Sequence, residues 1–186
     1  MEEFKHISVL LNETIELLDI KPDGIYVDGT AGGAGHSREI AKRLDPEKGR
    51  LYALDRDPEA VKVAGERLAG LPAQVIHADF ADMRAALENV GVEKVQGVLL
   101  DLGVSSYQLD TARRGFSYHA DAPLDMRMSS EGMSAKDLVN TWSYEDLRRI
   151  LYDYGEEKFA PAIAKAIVAA REIKPIETTG ELAELV

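Results

Sequence analysis

Four short apolar runs, separated by longer amphipathic stretches, dominate the first 100 residues of the chain. The runs are β-branched or aliphatic and too short for helices, so they predict strands, and the stretches between them predict the helices of β-α units. The predicted strands cover residues 25–27, 51–54, 74–76 and 97–100. This alternation favours an α/β fold with a Rossmann-like parallel sheet.

An aspartate stands at or just past the end of each predicted strand: Asp28, Asp55, Asp79 and Asp101. In an open α/β sheet the ligand binds outside the carboxyl ends of the strands. We therefore expect the four carboxylates to border one site. The alternative for each aspartate is a local role, because aspartate caps helices and begins turns well.

The charge and cysteine content of the 186-residue chain exclude several classes of function. With 22 basic and 33 acidic residues the net charge is −11, which argues against binding nucleic acid by bulk charge and leaves only a local basic patch for it. The absence of cysteine excludes disulfides, thiolate zinc sites, iron–sulfur clusters and a thiol nucleophile. The four histidines lack the paired spacing of a zinc site, so no catalytic metal is expected.

Neither a membrane span nor a signal peptide is expected. No apolar run approaches the roughly 20 residues that a spanning helix needs, and residues 1–6 lack the basic start and apolar stretch of a signal peptide. We expect a cytoplasmic protein without membrane contact.

The sequence changes character after Asp101. Residues 103–135 are rich in Gly, Ser, Asp and Arg and predict a long ordered loop, which is usually functional. Helical patterns follow at 135–141, 144–152, 158–172 and 181–186. We therefore expect two domains: a cofactor-binding core over 1–112, and a loop with a helical domain over 113–186 for substrate recognition.

The loop over residues 28–36, Asp-Gly-Thr-Ala-Gly-Gly-Ala-Gly-His, is the strongest ligand-binding motif. It follows the first strand and opens a helix, and its small residues let the backbone approach a ligand closely. No register of its glycines gives the G-x-G-x-x-G spacing of dinucleotide-binding sites. A nucleoside with a compact polar tail is therefore favoured over a pyrophosphate ligand.

The next two strand ends fit the remainder of such a nucleoside. Asp55 lies twenty positions beyond Gly35, where an acid accepts hydrogen bonds from ribose hydroxyls. Asp79 and Phe80 offer a carboxylate for an exocyclic amine and a ring for an adenine face. Together these features favour S-adenosylmethionine over NAD.

Several longer motifs recur together through nearly the whole chain and in one order. They comprise Lys5-His6 and residues 9–13, 28–30 with 35–37, 54–58, 100–106 with 108–110, 114–117, 123–128 and 154–160. In these motifs the chain resembles the ribosomal RNA small subunit methyltransferase H family, also called MraW. The resemblance implies a class I methyltransferase sheet with an inserted or appended helical domain.

The resemblance also implies an activity and a set of site residues. The activity is S-adenosylmethionine-dependent methylation of the N4 amine of one cytidine in the decoding region of bacterial small-subunit ribosomal RNA. The partner is then this RNA or the assembled small ribosomal subunit. The implied cofactor contacts are Ala34, Gly35, His36, Asp55, Phe80, Asp101 and Gln108.

Asp101 is the first candidate for a catalytic residue, because the end of the fourth strand faces the reacting methyl group in this fold. The Pro-Pro-aromatic motif of many amine methyltransferases does not follow it. Ser105 and Ser106 could bind the base edge, with Tyr107 or Phe116 stacking on it. The alternative is that the serines only build the turn.

Two alternatives to a methyltransferase remain at this point: an NAD-linked oxidoreductase, and a non-catalytic S-adenosylmethionine-binding module of ribosome assembly. The resembled family continues past Val186, so we expect the closing strands of the sheet to be missing. The sheet edge that this would expose invites self-association, and a homodimer is possible.

Overall fold

The computed structural model describes residues 8–129 and 131–186. Lys5-His6, the first of the recurring motifs, therefore lies outside the described residues. The chain divides into two compact units, of which the first ends at Ser105 and the second is Ser106–Val186. The sequence placed this division after residue 112, and the roles assigned there to the two domains stay predictions.

The first unit contains a parallel sheet of four strands in the order β3-β2-β1-β4. The strands are β1 (Ile25–Asp28), β2 (Arg50–Asp55), β3 (Ala73–His77) and β4 (Gly97–Leu99). Asp28 is in register with Ala53 of β2 and with Leu99 of β4. All four predicted strands and the α/β fold class are thus confirmed.

One helix precedes β1, and the others lie between the strands, where the sequence predicts helices. They are α1 (Leu11–Leu18), α2 (Gly35–Ala41), α3 (Pro58–Arg67) and α4 (Met83–Glu88), with a short 3-10 helix at Phe80–Asp82. The start of α3 illustrates the local chemistry: Asp57 caps it by accepting a hydrogen bond from the backbone N–H of Glu59, and Pro58 occupies its first turn.

The core of the first unit lies on both faces of the sheet. Tyr26 and Val27 are neighbours on β1 and belong to two different apolar clusters, because successive side chains of a strand point to opposite faces. Tyr26 packs with Ile40 of α2, and Val27 packs with Leu87 of α4. β1 is therefore an inner strand that is packed on both faces of the sheet.

β4 forms an edge of the sheet within the described part of the chain, where it pairs with β1 alone. Val98 and the following Leu100 are exposed apolar residues. An unpaired strand edge carrying apolar side chains is a site of self-association unless something covers it. The predicted exposed edge is present among these residues, whereas self-association itself stays a prediction.

The second unit is helical. Its helices are α5 (Ser106–Asp110), α6 (Ala135–Thr141), α7 (Tyr144–Asp153), α8 (Ala160–Ile173) and α9 (Thr179–Ala183), with a 3-10 helix at Ala112–Arg114. Its apolar cluster is formed by Leu124, Val139, Leu147, Ile163, Ala164, Ile167 and Ile176.

Two sequence-based expectations for this unit were wrong in detail. The stretch 103–135 was expected to be loop throughout, but it contains α5 and the 3-10 helix, whose single turns are too short to show a periodic apolar pattern. The last helix was expected over 181–186, but Thr178 caps it with a reciprocal bond to Glu181 and it ends at Ala183.

Among the described residues, no helix combines the length and the apolar character needed to cross a membrane.

We expect Leu147→Ala to destabilise the second unit by about 2–5 kcal/mol, because the side chain is 1% exposed in the cluster and its removal leaves a cavity. Denaturant unfolding followed by the fluorescence of Trp142, the only tryptophan, measures the stability of this unit. The neighbouring exposed Arg148→Ala should change the stability by less than about 0.5 kcal/mol. Equal stabilities of the two variants would contradict the packing described.

Candidate functional site

The loop between β1 and α2 is tied to the ends of two neighbouring strands. The N–H of Gly29 donates to the Leu99 carbonyl on β4, and the N–H of Ala31 donates to the Leu54 carbonyl on β2, both at 2.9 Å. Ala34 has a left-handed backbone with φ of 59°, a conformation that costs a non-glycine residue energy. The loop therefore has a defined shape at the carboxyl edge of the sheet.

Asp28 is the buried anchor of this loop. Its carboxyl is 1% exposed and accepts hydrogen bonds from the Ser37 hydroxyl at 2.6 Å and from the Thr30 N–H at 3.1 Å. Burial raises the pKa of Asp28, and the hydrogen bonds from Ser37 and Thr30 oppose this rise. The expectation that Asp28 borders the ligand site is wrong, because both carboxyl oxygens face the protein interior.

Thr30 connects the loop to the end of β4. Its hydroxyl oxygen accepts a hydrogen bond from the N–H of Asp101 at 2.8 Å. The side chain of Asp101 is about half exposed, at 52%. The sequence names Asp101, whose role in the site stays a prediction, but not the threonine that fixes its backbone.

Asp55, at the end of β2, also contacts the loop. One carboxylate oxygen accepts a hydrogen bond from the N–H of Gly32 at 2.8 Å, and the other accepts one from the N–H of Asp57 at 2.9 Å. Each carboxylate oxygen has a second lone pair, and the residue is partly exposed. Asp55 can therefore hold the loop and still accept hydrogen bonds from a ligand.

Asp79, at the end of β3, has a local role as well as an ion pair. It caps the 3-10 helix by accepting from the N–H of Ala81 at 2.9 Å, and its other oxygen lies 3.2 Å from Arg56. The capping alternative considered for the aspartates is thus correct for this one. A ligand amine would have to share the carboxylate with the guanidinium of Arg56.

An apolar wall stands beside the loop. A Cβ added to Gly29 would lie 2.5 Å from Leu100 Cδ2, 3.1 Å from Phe80 Cβ and 3.2 Å from Met83 Cε. A larger residue there would require the Leu100 side chain to move, and Phe80 remains 37% exposed. The sequence names Phe80 as a cofactor contact, which stays a prediction. It does not single out the neighbouring Met83 and Leu100, which resemble ordinary core residues and carry no local pattern.

His36 lies at the start of α2 and is buried, at 7% exposure. Its Nε2 is 3.1 Å from the carbonyl oxygen of Val9, and its Nδ1 is 3.9 Å from Asp101 Oδ2. The side chain of Ser8 packs against the adjacent Gly35, since a Cβ on Gly35 would fall 2.0 Å from the Ser8 hydroxyl oxygen. The segment around Ser8 and Val9 thus covers this part of the loop.

Most of the predicted site residues come together in the first unit. Ala34, Gly35, His36, Asp55, Phe80 and Asp101 all lie on the loop or at the strand ends described above. Gln108 belongs to the second unit, where it is buried on α5. The structure therefore places six of the seven predicted residues at one edge of the sheet.

Three arginines of the second unit, Arg113, Arg114 and Arg127, differ in their surroundings. The guanidinium of Arg114 donates to the carbonyls of Arg127 and Met128, at 2.9 and 3.1 Å. Arg127 in turn pairs with Asp125 at 2.8 Å. Arg114 and Arg127 therefore hold the 114–128 loop together, whereas Arg113 is exposed. Among the described residues, no cluster of three or more histidine or carboxylate side chains could hold a metal ion.

Comparison with known protein families gives one match over nearly the whole chain. The model of the family described as "MraW methylase family" matches residues 3–186.

Comparison with curated proteins gives relatives that carry the name ribosomal RNA small subunit methyltransferase H. The chain is 60% identical to ribosomal RNA small subunit methyltransferase H 2 of Agathobacter rectalis, over 99% of this chain and 60% of the relative. It is 58% identical to that of Lachnospira eligens, over 99% and 59%, and 54% identical to that of Clostridioides difficile, over 99% and 60%. The chain thus spans about 60% of the length of these relatives.

Two solved structures show more distant likeness. A putative rRNA methylase from Clostridium thermocellum has a TM-score of 0.42 and 19% identity, covering 50% of this chain and 52% of that one. A SAM-dependent methyltransferase from Aquifex aeolicus has a TM-score of 0.37 and 18% identity, covering 78% of both chains.

The buried carboxyl of Asp28 gives a pH dependence that a substitution removes. Its raised pKa means that the folded chain holds the proton more tightly than the unfolded chain. The stability it contributes is therefore complete below its ordinary pKa of about 4 and is lost as the pH rises through the raised value. Asp28→Asn cannot titrate, so the stability advantage of the wild type over this variant should shrink as the pH rises.

Urea unfolding followed by circular dichroism between about pH 4 and pH 8 measures this advantage. The exposed Asp23→Asn is the control, and its difference from the wild type should not follow the same course. An advantage of the wild type over Asp28→Asn that grows with pH would contradict the burial of this carboxyl.

Proposed function

Because the chain belongs to the MraW methylase family, we propose that it binds S-adenosylmethionine at the strand ends of its first unit and serves the methylation of small-subunit ribosomal RNA. The acceptor is the N4 amine of a cytidine in the decoding region of bacterial small-subunit RNA. One observation carries the proposal: the loop after β1, the carboxylate after β2 and the aromatic ring after β3 lie at one edge of the sheet.

The residues present fit the shape and charge of S-adenosylmethionine. Phe80, Met83 and Leu100 pack closely against Gly29, and the exposed parts of Phe80 and Leu100 offer an apolar surface that suits the face of an adenine. Asp55 keeps lone pairs for the ribose hydroxyls while it holds Gly32. Asp101 places a carboxylate at the end where a sulfonium cation would lie, and opposite charges attract there.

The bound cofactor supplies a methyl group activated by the sulfonium charge. The chain has to supply orientation, because the lone pair of a cytosine amine is delocalised into the ring and the amine is a poor nucleophile. Asp101 is half exposed while its backbone is fixed by Thr30, so its carboxylate can accept a hydrogen bond from the amine and align it. Positioning of this kind supplies a large share of the rate of many enzymes.

The proposed partner is small-subunit RNA, free or in the assembled particle. With a net charge of −11, the protein would bind RNA through local contacts and not through bulk charge. The exposed Arg113 in the second unit is one candidate for such a contact. This function also supports a cytoplasmic location, and the β4 edge leaves a homodimer as a further proposal.

The alternatives lose support for different reasons. An NAD-linked oxidoreductase does not agree with membership of a methylase family, and the glycine spacing lacks the dinucleotide pattern. A non-catalytic cofactor-binding module of ribosome assembly differs from the proposal only in the transfer step, so it is an outcome of the test below.

Transfer of labelled methyl from S-adenosylmethionine to small-subunit particles and to naked small-subunit RNA tests donor, acceptor and target atom together. Nucleoside analysis should find the label on N4 of cytidine. Asp101→Asn should lower the rate at least about tenfold by removing the charged acceptor, whereas the exposed Asp82→Asn should leave it unchanged. Cofactor binding with no transfer to either acceptor would favour the assembly module, and label on another atom would contradict the N4 assignment.

Asp55→Ala should weaken the binding of S-adenosylmethionine by about 1.5–3 kcal/mol, because it removes charged hydrogen bonds to the ribose and frees the N–H of Gly32. Isothermal titration calorimetry measures the affinity, with Asp82→Ala as the control. Unchanged affinity for Asp55→Ala would remove Asp55 from the site.

A further inference from the structure

The hydrogen bond between His36 and Val9 fixes which ring nitrogen carries the proton. A backbone carbonyl only accepts hydrogen bonds, so Nε2, at 3.1 Å from the Val9 oxygen, must donate. In the neutral ring the other nitrogen, Nδ1, then has no hydrogen and is an acceptor. The imidazole is buried, so this assignment does not depend on competing contacts with bulk water.

The Nδ1 atom, which carries no hydrogen in the neutral ring, lies near a second hydrogen-bond acceptor, the carboxylate of Asp101. It lies 3.9 Å from Asp101 Oδ2, a separation that is too long for a hydrogen bond between the two atoms. One nitrogen with two hydrogens can donate to both, because 3.9 Å is well below twice the usual hydrogen-bond length of about 2.9 Å. Asp101 is half exposed, so a ligand can reach the pair from its side.

We propose that His36 Nδ1 and Asp101 Oδ2 form an acceptor pair that binds the two N–H groups of a primary amine and takes up the proton that the amine loses on methylation. The inference rests on the proposed function and goes beyond it by assigning the proton acceptor. Binding of both hydrogens fixes the amine plane, so the lone pair of its nitrogen is directed at the methyl carbon.

The step balances with these groups alone. A bond forms between the amine nitrogen and the methyl carbon, the bond between carbon and sulfur breaks, and its electron pair stays on sulfur. The nitrogen then gives up one of its two hydrogens, which passes as a proton to the acceptor pair and comes to rest on His36 Nδ1. The resulting imidazolium still donates from Nε2 to the Val9 carbonyl, and its Nδ1 lies 3.9 Å from the Asp101 carboxylate.

The pair also predicts selectivity among amines. A primary amine fills both acceptors, whereas a monomethylated amine has one hydrogen and leaves one buried acceptor without a partner, which costs binding. The product should therefore leave the site more readily than the substrate enters it, and a second methylation of the same nitrogen is disfavoured.

Nitrogen NMR of the chain labelled with ¹⁵N-histidine tests the pair without any transfer reaction. Its four histidines are distinguished by the signal lost in His36→Asn. We expect neutral His36 to carry hydrogen on Nε2 only, and its Nδ1 signal to move when cytidine is added with S-adenosylhomocysteine present. Uridine, which has a carbonyl in place of the amine, should not move it. A hydrogen on Nδ1, no response to cytidine, or an equal response to uridine would overturn the proposal.

Two variants separate proton uptake from a structural role in the methyl-transfer assay. His36→Gln can keep a donor to Val9, whereas His36→Asn keeps an acceptor near the Nδ1 position, and neither can take a proton. We expect kcat to fall about 100-fold in both, with KM for the acceptor changed less in His36→Asn. Recovery of kcat in His36→Gln would show that the ring only holds Val9.

The two proposals fail separately. If the wild-type protein methylates cytidine N4 but the NMR signal of His36 Nδ1 does not move when cytidine is added, the proposed acceptor pair is wrong and the proposed function stands. If Nδ1 responds to cytidine but no methyl group reaches RNA, the proposed function is wrong.

Discussion

The buried carboxyl of Asp28 is the interaction on which the arrangement of the first unit depends. It ends β1, an inner strand of the sheet, and accepts hydrogen bonds from Ser37 at the start of α2 and from Thr30 in the loop. Because a carboxyl taken out of water is costly unless hydrogen bonds satisfy it, this position allows few other loop conformations. Thr30 then fixes the backbone of Asp101, so one buried group sets the geometry between the ends of two strands.

The same arrangement explains how four aspartates at similar positions have different roles. Asp28 is enclosed and builds the loop, and Asp79 caps a helical turn and pairs with Arg56. Asp55 holds the loop with part of its hydrogen-bonding capacity, and Asp101 stays half exposed beside His36. Asp55 and Asp101 are the two carboxylates proposed to contact the ribose and the reacting amine.

The sequence predicts the elements of this fold well because their signals are local. Short aliphatic runs mark the strands, and Pro58 and Ser134 mark helix starts. The site is less predictable because its contacts join distant parts of the chain. The burial of Asp28, the contact of Thr30 with Asp101 and the approach of Leu100 to Gly29 all depend on how the strands pair. The single turns of α5 and of the 3-10 helix after it were missed because they have no periodic pattern.

The central claim is that the strand ends of the first unit bind S-adenosylmethionine, and a crystal structure of the chain with S-adenosylhomocysteine tests it most directly. We expect ribose hydroxyls within hydrogen-bonding distance of the Asp55 carboxylate and an adenine against Phe80 and Leu100. The Asp28 carboxyl should remain bonded to Ser37 and make no contact with the ligand. Nucleoside density away from Asp55, or a loop that releases Asp28 to contact the ligand, would contradict the claim.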